Sequence, residues 1–97
     1  MDYKLRWSDE SVRNLEDILD YLKFKWTNKE INNFKNKFSH QLDLIIQNPF
    51  MFPESSIKPG LRKAVLSKQT TIFYQITNDI IYLTYLHINK KDIDYIK

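Results

Sequence analysis

The chain opens with hydrophobic and polar residues in alternation over positions 3–7. A period of two residues is typical of a short β-strand with one buried face. Ser8 comes next, and its hydroxyl is suited to cap a helix that begins directly after it. Asp9 and Glu10 then suit the positive end of the helix dipole. We expect a short strand followed at once by a helix.

Two longer segments repeat their apolar residues every three or four positions, which predicts two amphipathic helices. The first covers roughly residues 9–26, and the second begins at Thr27, which has the spacing of a capping box with Glu30. Asn48-Pro49 ends the second helix, because a residue before proline avoids helical geometry. Helices with so short a connection lie antiparallel as a hairpin. Their apolar positions are Val12, Leu15, Ile18, Leu19, Leu22 and Trp26, then Ile31, Phe34, Phe38, Leu42, Ile45 and Ile46.

The second half of the chain reads as a loop and three strands. Residues 48–60 contain all three prolines and predict the loop. The run 63–66 is a short strand candidate. β-branched and aromatic residues dominate the runs 70–76 and 80–88, with a turn at Asn78-Asp79 between them. Residues 90–97 are read as a strand extension or a single helical turn.

These elements predict an α+β fold in the order β-α-α-β-β-β. The N-terminal strand and the helical hairpin pack on one face of an antiparallel sheet. Apolar residues occupy both faces of the last two strands, and the hairpin covers only one face. The other face is then a candidate binding groove. The alternative is that the loop 48–60 and the C-terminal tail cover it.

Composition narrows the class of protein. With 97 residues, 42% of them hydrophobic, the chain is expected to form one domain over residues 1–97. It has no cysteine, which excludes disulfides and cysteine chemistry and fits a reducing, cytoplasmic location. No segment predicts a signal peptide or a membrane span. The net charge of +3 suits an acidic partner or nucleic acid, and it suits a solvated lysine-rich surface equally well.

Several features follow one another along the chain: Trp7-Ser8, the helical hairpin, Asn48-Pro49, the segments 60–63 and 61–70, Thr71-Ile72-Phe73-Tyr74-Gln75-Ile76 and the strand from Ile80 to His87. In their order and spacing they resemble the RelE/ParE toxin superfamily, and the region after the loop looks most like ParE-type members. The resemblance covers nearly the whole chain. It implies the toxin of a two-gene, growth-inhibiting plasmid-stabilisation module that a cognate antitoxin binds and silences, in a toxin-antitoxin hetero-oligomer.

The resemblance also implies two activities, poisoning of DNA gyrase or cleavage of mRNA on the ribosome. A metal-free ribonuclease needs cations for the phosphate and an acid–base pair. Arg62 lies where the family places a basic residue, and Lys63 and Lys68 are weaker candidates. The alternative for Arg62 is that it pairs with a carboxylate or with the antitoxin. RelE-type nucleases carry cations where this chain has Thr71 and Ala64, which favours ParE.

Histidine titrates near neutral pH, so His87 at the end of the last strand is the best acid–base candidate. The alternative is a partly exposed side chain without a catalytic role. The resemblance implies that Tyr95 stands for the C-terminal tyrosine of RelE-type nucleases. Two distant histidines and one glycine leave no metal-ligand spacing and no phosphate loop, so no metal or cofactor is expected.

The leading hypothesis is a ParE-like toxin that acts by binding DNA gyrase. Its antitoxin is expected on the uncovered sheet face, at Phe73, Tyr85, Ile93 and Tyr95. The second hypothesis is a ribosome-dependent mRNA endoribonuclease that uses Arg62 and His87. A third is a non-toxic relative that serves as a binding module.

Overall fold

A computed structural model describes residues 2–56, 58–68 and 70–88. The α+β class and the order β-α-α-β-β-β are confirmed. The segment 90–97, read above as a strand or a helical turn, lies outside the described residues. The elements are β1 (Lys4–Trp7), α1 (Asp9–Lys25), α2 (Asn28–Gln47), β2 (Arg62–Val65), β3 (Thr70–Thr77) and β4 (Ile80–Ile88).

The four strands form one mixed sheet in the order β1-β4-β3-β2. Strands β2, β3 and β4 are antiparallel as expected. We expected a wholly antiparallel sheet with β1 packed on its face. That part of the prediction is wrong, because β1 is an edge strand that pairs with β4 in parallel. Both helices lie between β1 and the rest of the sheet along the chain, and a crossover of that length is what a parallel pair requires.

The predicted caps hold the helices in place. Ser8 accepts a hydrogen bond from the Ser11 amide at 3.0 Å and begins α1. Thr27 and Glu30 form the predicted capping box at the start of α2. Only Trp26 and Thr27 separate the two helices. Each cap satisfies amide groups that a helix start leaves without partners, so the boundaries follow from local sequence.

The core lies between the helices and one face of the sheet, which we call the inner face. Its fully buried side chains come from both helices and all three C-terminal strands or their flanks. None of the helices in the described part of the chain is long and apolar enough to span a membrane. The buried apolar residues are Ile18, Leu22, Ile31, Phe34, Phe38, Ile45, Ala64, Leu66, Ile72, Tyr74, Ile81, Leu83 and Leu86.

Strand β4 contains a bulge at Thr84. Tyr74 on β3 pairs with Leu83, while its neighbour Phe73 pairs with Tyr85, so Thr84 is an extra residue without an opposite partner. The bulge lies where β1 ends. Beyond that point, the Ser8 hydroxyl donates to the Thr84 carbonyl at 2.7 Å. Further along β4, the Leu86 amide donates to the Asn14 side-chain oxygen of α1 at 3.0 Å. Helix α1 and its cap therefore take over from β1 in satisfying the β4 edge.

Candidate functional site

The sheet face opposite the helices, which we call the open sheet face, is the candidate site. Side chains alternate between the faces of a strand, and the core residues fix which positions point inward. The bulge keeps Tyr85 and His87 outward while Leu83 and Leu86 both point inward. The open sheet face consists of Lys4, Arg6, Lys63, Val65, Thr71, Phe73, Gln75, Thr77, Ile80, Tyr82, Tyr85 and His87.

Two stacked rings form the centre of this face. Phe73 and Tyr85 are cross-strand partners whose ring centroids lie 4.5 Å apart with an interplanar angle of 13°. Lys63 on β2 is the register partner of Phe73. The Lys58 ammonium, from the loop, lies 5.1 Å from the Tyr85 ring centroid. The site predicted for the antitoxin thus has aromatic surface with cations on its border.

The loop covers the open sheet face only in part. Apart from Lys58, the anchoring contacts of the described loop residues are with the β2 edge and the inner face. Ser55 and Lys63 amides donate to Leu61 and Pro53 carbonyls at 2.7 and 2.9 Å. The alternative considered above was that the loop and the tail cover the open sheet face. Of the described loop residues, Lys58 lies over Tyr85 on that face. Ile93 and Tyr95 of the tail lie outside the described residues.

Arg62 lies on the inner-face side of β2, one position from Lys63. Its guanidinium donates to the Phe52 carbonyl at 2.6 Å and to the Phe50 carbonyl at 3.5 Å. It also lies 3.8 Å from a Glu54 carboxylate oxygen and 5.0 Å from the Phe50 ring centroid. The side chain is only 20% exposed. These contacts use Arg62 to hold the loop against the sheet.

Tyr74 is the second anchor of the loop, and sequence reasoning did not single it out. Its hydroxyl donates to the Pro49 carbonyl at 2.6 Å. Burial raises the pKa of Tyr74 to about 12, with the Arg62 charge acting in the opposite direction. A tyrosine between Ile72 and Ile76 at the inward positions of β3 was the signal, since a buried hydroxyl needs a partner.

His87 lies in a different part of the sheet from Arg62. It is exposed on the open sheet face, opposite Thr71, which in turn pairs with Val65. Neither of these two partners is charged, and Arg62 points to the other face. The structure therefore does not bring Arg62 and His87 together. Lys63 lies in the neighbouring row, and Lys68 is exposed in the turn before β3.

Sequence reasoning also missed an apolar groove on the helical side. Its walls come from β1 and from both helices, and Val12 beside it is 43% exposed. The groove is lined by Trp7, Leu15, Leu19, Phe34, Phe38 and Leu42.

No group of three or more histidine, aspartate or glutamate side chains able to hold a metal ion exists among the described residues.

Solved structures share this fold. The chromosomal ParDE toxin-antitoxin system from P. aeruginosa is 15% identical with a TM-score of 0.76, covering 89% of this chain and 95% of that chain. The E. coli DinJ-YafQ toxin-antitoxin complex is 13% identical with a TM-score of 0.64, covering 94% and 97%. A mutant of the E. coli toxin RelE in the free state is 16% identical with a TM-score of 0.55, covering 98% and 92%.

A match to a family model, rather than to a single relative, identifies the family of this chain. Curated protein sequences give no significant match. A family model described as the ParE toxin of the type II toxin-antitoxin system parDE matches residues 5–95, which is nearly the whole chain. Because that match spans both helices, the loop, strands β2 to β4 and all of β1 but Lys4, this chain belongs to the ParE toxin family of type II toxin-antitoxin systems.

Proposed function

We propose that this chain is a single-domain toxin that acts by binding its target, with DNA gyrase as the target. The observation that carries the proposal is the separation of Arg62 from His87. Arg62 holds the loop through the Phe52 and Phe50 carbonyls, and His87 faces Thr71 on the other side of the sheet. A ribonuclease needs a cation and an acid–base group on the same phosphate.

The proposed partner that silences the toxin is a cognate antitoxin. The DinJ-YafQ neighbour is a toxin-antitoxin complex, which supports a partner of this kind. Its proposed contact is the open sheet face around Phe73 and Tyr85, continued by Ile93 and Tyr95. An amphipathic segment recognises such a surface through regularly spaced apolar anchors. The toxin would act in the cytoplasm and inhibit growth when the antitoxin is lost.

The second candidate is a RelE-type endoribonuclease that cleaves mRNA on the ribosome. The exposed imidazole of His87 favours it, because that group lies on the same face as Lys63. In this case Lys68 and Tyr95 would assist at the phosphate. A third candidate is a binding module without toxicity.

Purified protein separates the first two candidates. We expect it to inhibit supercoiling of plasmid DNA by gyrase and to leave mRNA intact in a translation extract. In cells, induction without the antitoxin should stop growth. Normal growth with soluble protein would contradict both toxin hypotheses, and mRNA cleavage without any effect on gyrase would contradict the first.

Two histidine variants test the role of the sheet face directly. His87→Ala should remain toxic, because the proposed action needs no acid–base group there. His40→Ala is the matched control, since His40 is exposed on helix α2. If only His87→Ala loses toxicity while still binding the antitoxin, and mRNA cleavage is lost with it, the result supports the nuclease hypothesis. Arg62→Ala is less informative, because Arg62 also anchors the loop.

A further inference from the structure

The helical hairpin exposes a phenylalanine at the point where its two helices meet. Phe24 lies near the end of α1 and is 86% exposed, the highest value among the exposed large hydrophobic side chains of the described residues. It stands outside the apolar pattern of that helix, whose buried members include Ile18 and Leu22. A single exposed apolar residue is ordinary by itself, so its surroundings decide whether it has a role.

Lysines flank this ring in the sequence. Residues 21–29, which we call the hairpin tip, cover the end of α1, the connection and the start of α2. They contain Lys23, Lys25 and Lys29 and no aspartate or glutamate. The complete chain has 15 lysine and arginine residues against 12 aspartate and glutamate residues, so these three lysines equal its whole excess of positive charge. The hairpin tip thus combines an exposed ring with charge of one sign.

The two carboxylates that border the hairpin tip do not neutralise it. Asp20 lies 3.6 Å from the Lys23 ammonium, and the two side chains are 72% and 69% exposed, so this ion pair is solvated and weak. The Glu30 carboxylate accepts from the Thr27 amide at 3.0 Å and from the Thr27 hydroxyl at 3.1 Å, and therefore serves the start of α2. The lysines of the tip remain accessible to an anionic partner.

We infer that the hairpin tip is the surface through which the toxin binds its target protein, with Phe24 inserted into an apolar pocket that has an acidic rim. The inference rests on the proposal that the chain acts by binding a protein, and it does not require that protein to be gyrase. Protein interfaces commonly depend on a few aromatic anchors in pockets from which water is excluded. Complementary charge at the border speeds the encounter and orients the partners.

Charge and apolar area favour an acidic protein over the other possible occupants. A second copy placed tip to tip would bring its own three lysines against these, and residues 89–97 contain three lysines against two aspartates. A helix that lies on a lipid surface needs a broad apolar stripe. Phe24 is the one exposed large hydrophobic side chain of the hairpin tip, a segment that the structure describes completely. Duplex DNA is contacted mainly through phosphates and sugars, which would leave the ring in water.

The hairpin tip is a different surface from the one proposed for the antitoxin. The tip belongs to the helical layer, whereas the antitoxin is proposed on the open sheet face, around Phe73 and Tyr85 on the other side of the sheet. Substitutions at the tip should therefore weaken binding of the target and leave binding of the antitoxin unchanged.

Replacement of the exposed ring is the first test. Phe24→Ser should raise the concentration that half-inhibits supercoiling by gyrase by at least about 30-fold, the loss typical of an interface anchor. It should also abolish growth arrest when the toxin is induced without the antitoxin. Met51→Ser is the matched control, because Met51 is 55% exposed on the loop, and it should change neither result. Circular dichroism and antitoxin binding show that both variants are folded.

Removal of charge is the second test. The double variant Lys23→Gln and Lys29→Gln should associate with gyrase about 3- to 10-fold more slowly at low salt, measured by surface plasmon resonance. The difference should disappear at high salt, where exposed charges are screened. Lys35→Gln combined with Lys37→Gln removes the same charge from exposed positions of α2 and should associate as the unchanged protein does.

The results for the hairpin tip and for gyrase can be told apart. If the protein inhibits gyrase and both tip variants act as strongly as the unchanged protein, the inference is wrong while the proposed function stands. If the protein arrests growth without affecting gyrase, and Phe24→Ser abolishes the arrest, the inference stands with a different target. A protein that does not arrest growth contradicts both.

Three further results would assign the hairpin tip to another occupant and overturn the inference. They are sedimentation with phosphatidylglycerol vesicles that depends on Phe24, binding to plasmid DNA without gyrase that depends on Phe24, and loss of antitoxin binding by Phe24→Ser.

Discussion

The two faces of the sheet come from the same strands and have different chemistry. The inner face is filled by closely packed side chains such as Ile72, Ile81 and Leu83, all without exposed surface. The open sheet face has apolar surface as well, but it is mainly aromatic and is bordered by lysine and arginine. Hydrophobic content alone therefore does not distinguish a core face from a docking face. The distinction lies in the neighbouring charges and in ring chemistry.

Neighbouring residues on one strand make the contrast measurable, because they share the same stretch of backbone and point to opposite faces. Ile81 is fully buried on the inner face, while Ile80 is half-buried on the open sheet face. Arg62 anchors the loop and Lys63 is exposed. Matched substitutions at such neighbouring positions therefore compare the two faces of the sheet.

The largest effect is expected for the isoleucine pair. Ile81→Ala should lower the free energy of unfolding by about 2–5 kcal/mol, since it removes buried methylene groups and leaves a cavity. Ile80→Ala should cost less than about 1.5 kcal/mol, because its site is partly solvated. Urea unfolding followed by circular dichroism measures both. Equal losses would mean that the open sheet face is packed as tightly as the core.

The tyrosine pair is expected to show the next largest effect. Tyr74→Phe should cost about 1–3 kcal/mol, because the buried Pro49 carbonyl loses its hydrogen-bond donor. Tyr82→Phe on the open sheet face should stay within about 0.5 kcal/mol. Urea midpoints at neutral pH give the two values. A neutral effect of Tyr74→Phe would show that the loop does not depend on this bond.

The buried Tyr74 also predicts how the stability of the protein depends on pH. The pKa of Tyr74 is about 12 in the folded protein, above the value near 10 of an unfolded tyrosine. The unfolded state therefore loses its proton first, so the contribution of Tyr74 to stability is complete below pH 10 and is lost as the pH rises towards 12. The stability difference between the unchanged protein and Tyr74→Phe should shrink over that window. A constant difference would contradict the raised pKa.

The smallest effects on stability are expected for substitutions of the two adjacent cations, Arg62 and Lys63. Arg62→Gln should cost about 1–2 kcal/mol, because the charged hydrogen bond to the Phe52 carbonyl is lost from a mostly buried site. Lys63→Gln should change stability by less than about 0.5 kcal/mol. Thermal unfolding and limited proteolysis of the loop measure the pair. If Lys63→Gln proves the more damaging, the assignment of the two residues to opposite faces is wrong.

Local sequence was sufficient for the helices and for their caps. Ser8 and Thr27 lie at the predicted starts, because capping depends on residues within one turn. The β3 and β4 segments were also predicted, since their β-branched and aromatic residues favour extended structure. The family resemblance was likewise visible in the order of these elements, and the family match confirms it.

The pairing of β1 and the bulge at Thr84 were not predicted. Each depends on which strands are neighbours in the sheet. Trp7 and Leu83, for example, are register partners although they lie far apart in the sequence. The anchoring of the loop by Arg62 was not predicted either, since the sequence analysis gave Arg62 a phosphate, a carboxylate or the antitoxin as its partner. A side chain on a strand of four residues shows its face only when the core opposite it is known.

The sequence by itself determined the elements, their order, the caps and the family, because each follows from contacts within a few residues or from patterns along the chain. The tertiary structure alone decided which side of the sheet became the core, where β1 joined, and which cations remained free. Those outcomes depend on packing between distant residues. The bulge at Thr84 then sets the phase of β4, so Tyr85 and His87 face away from the helices.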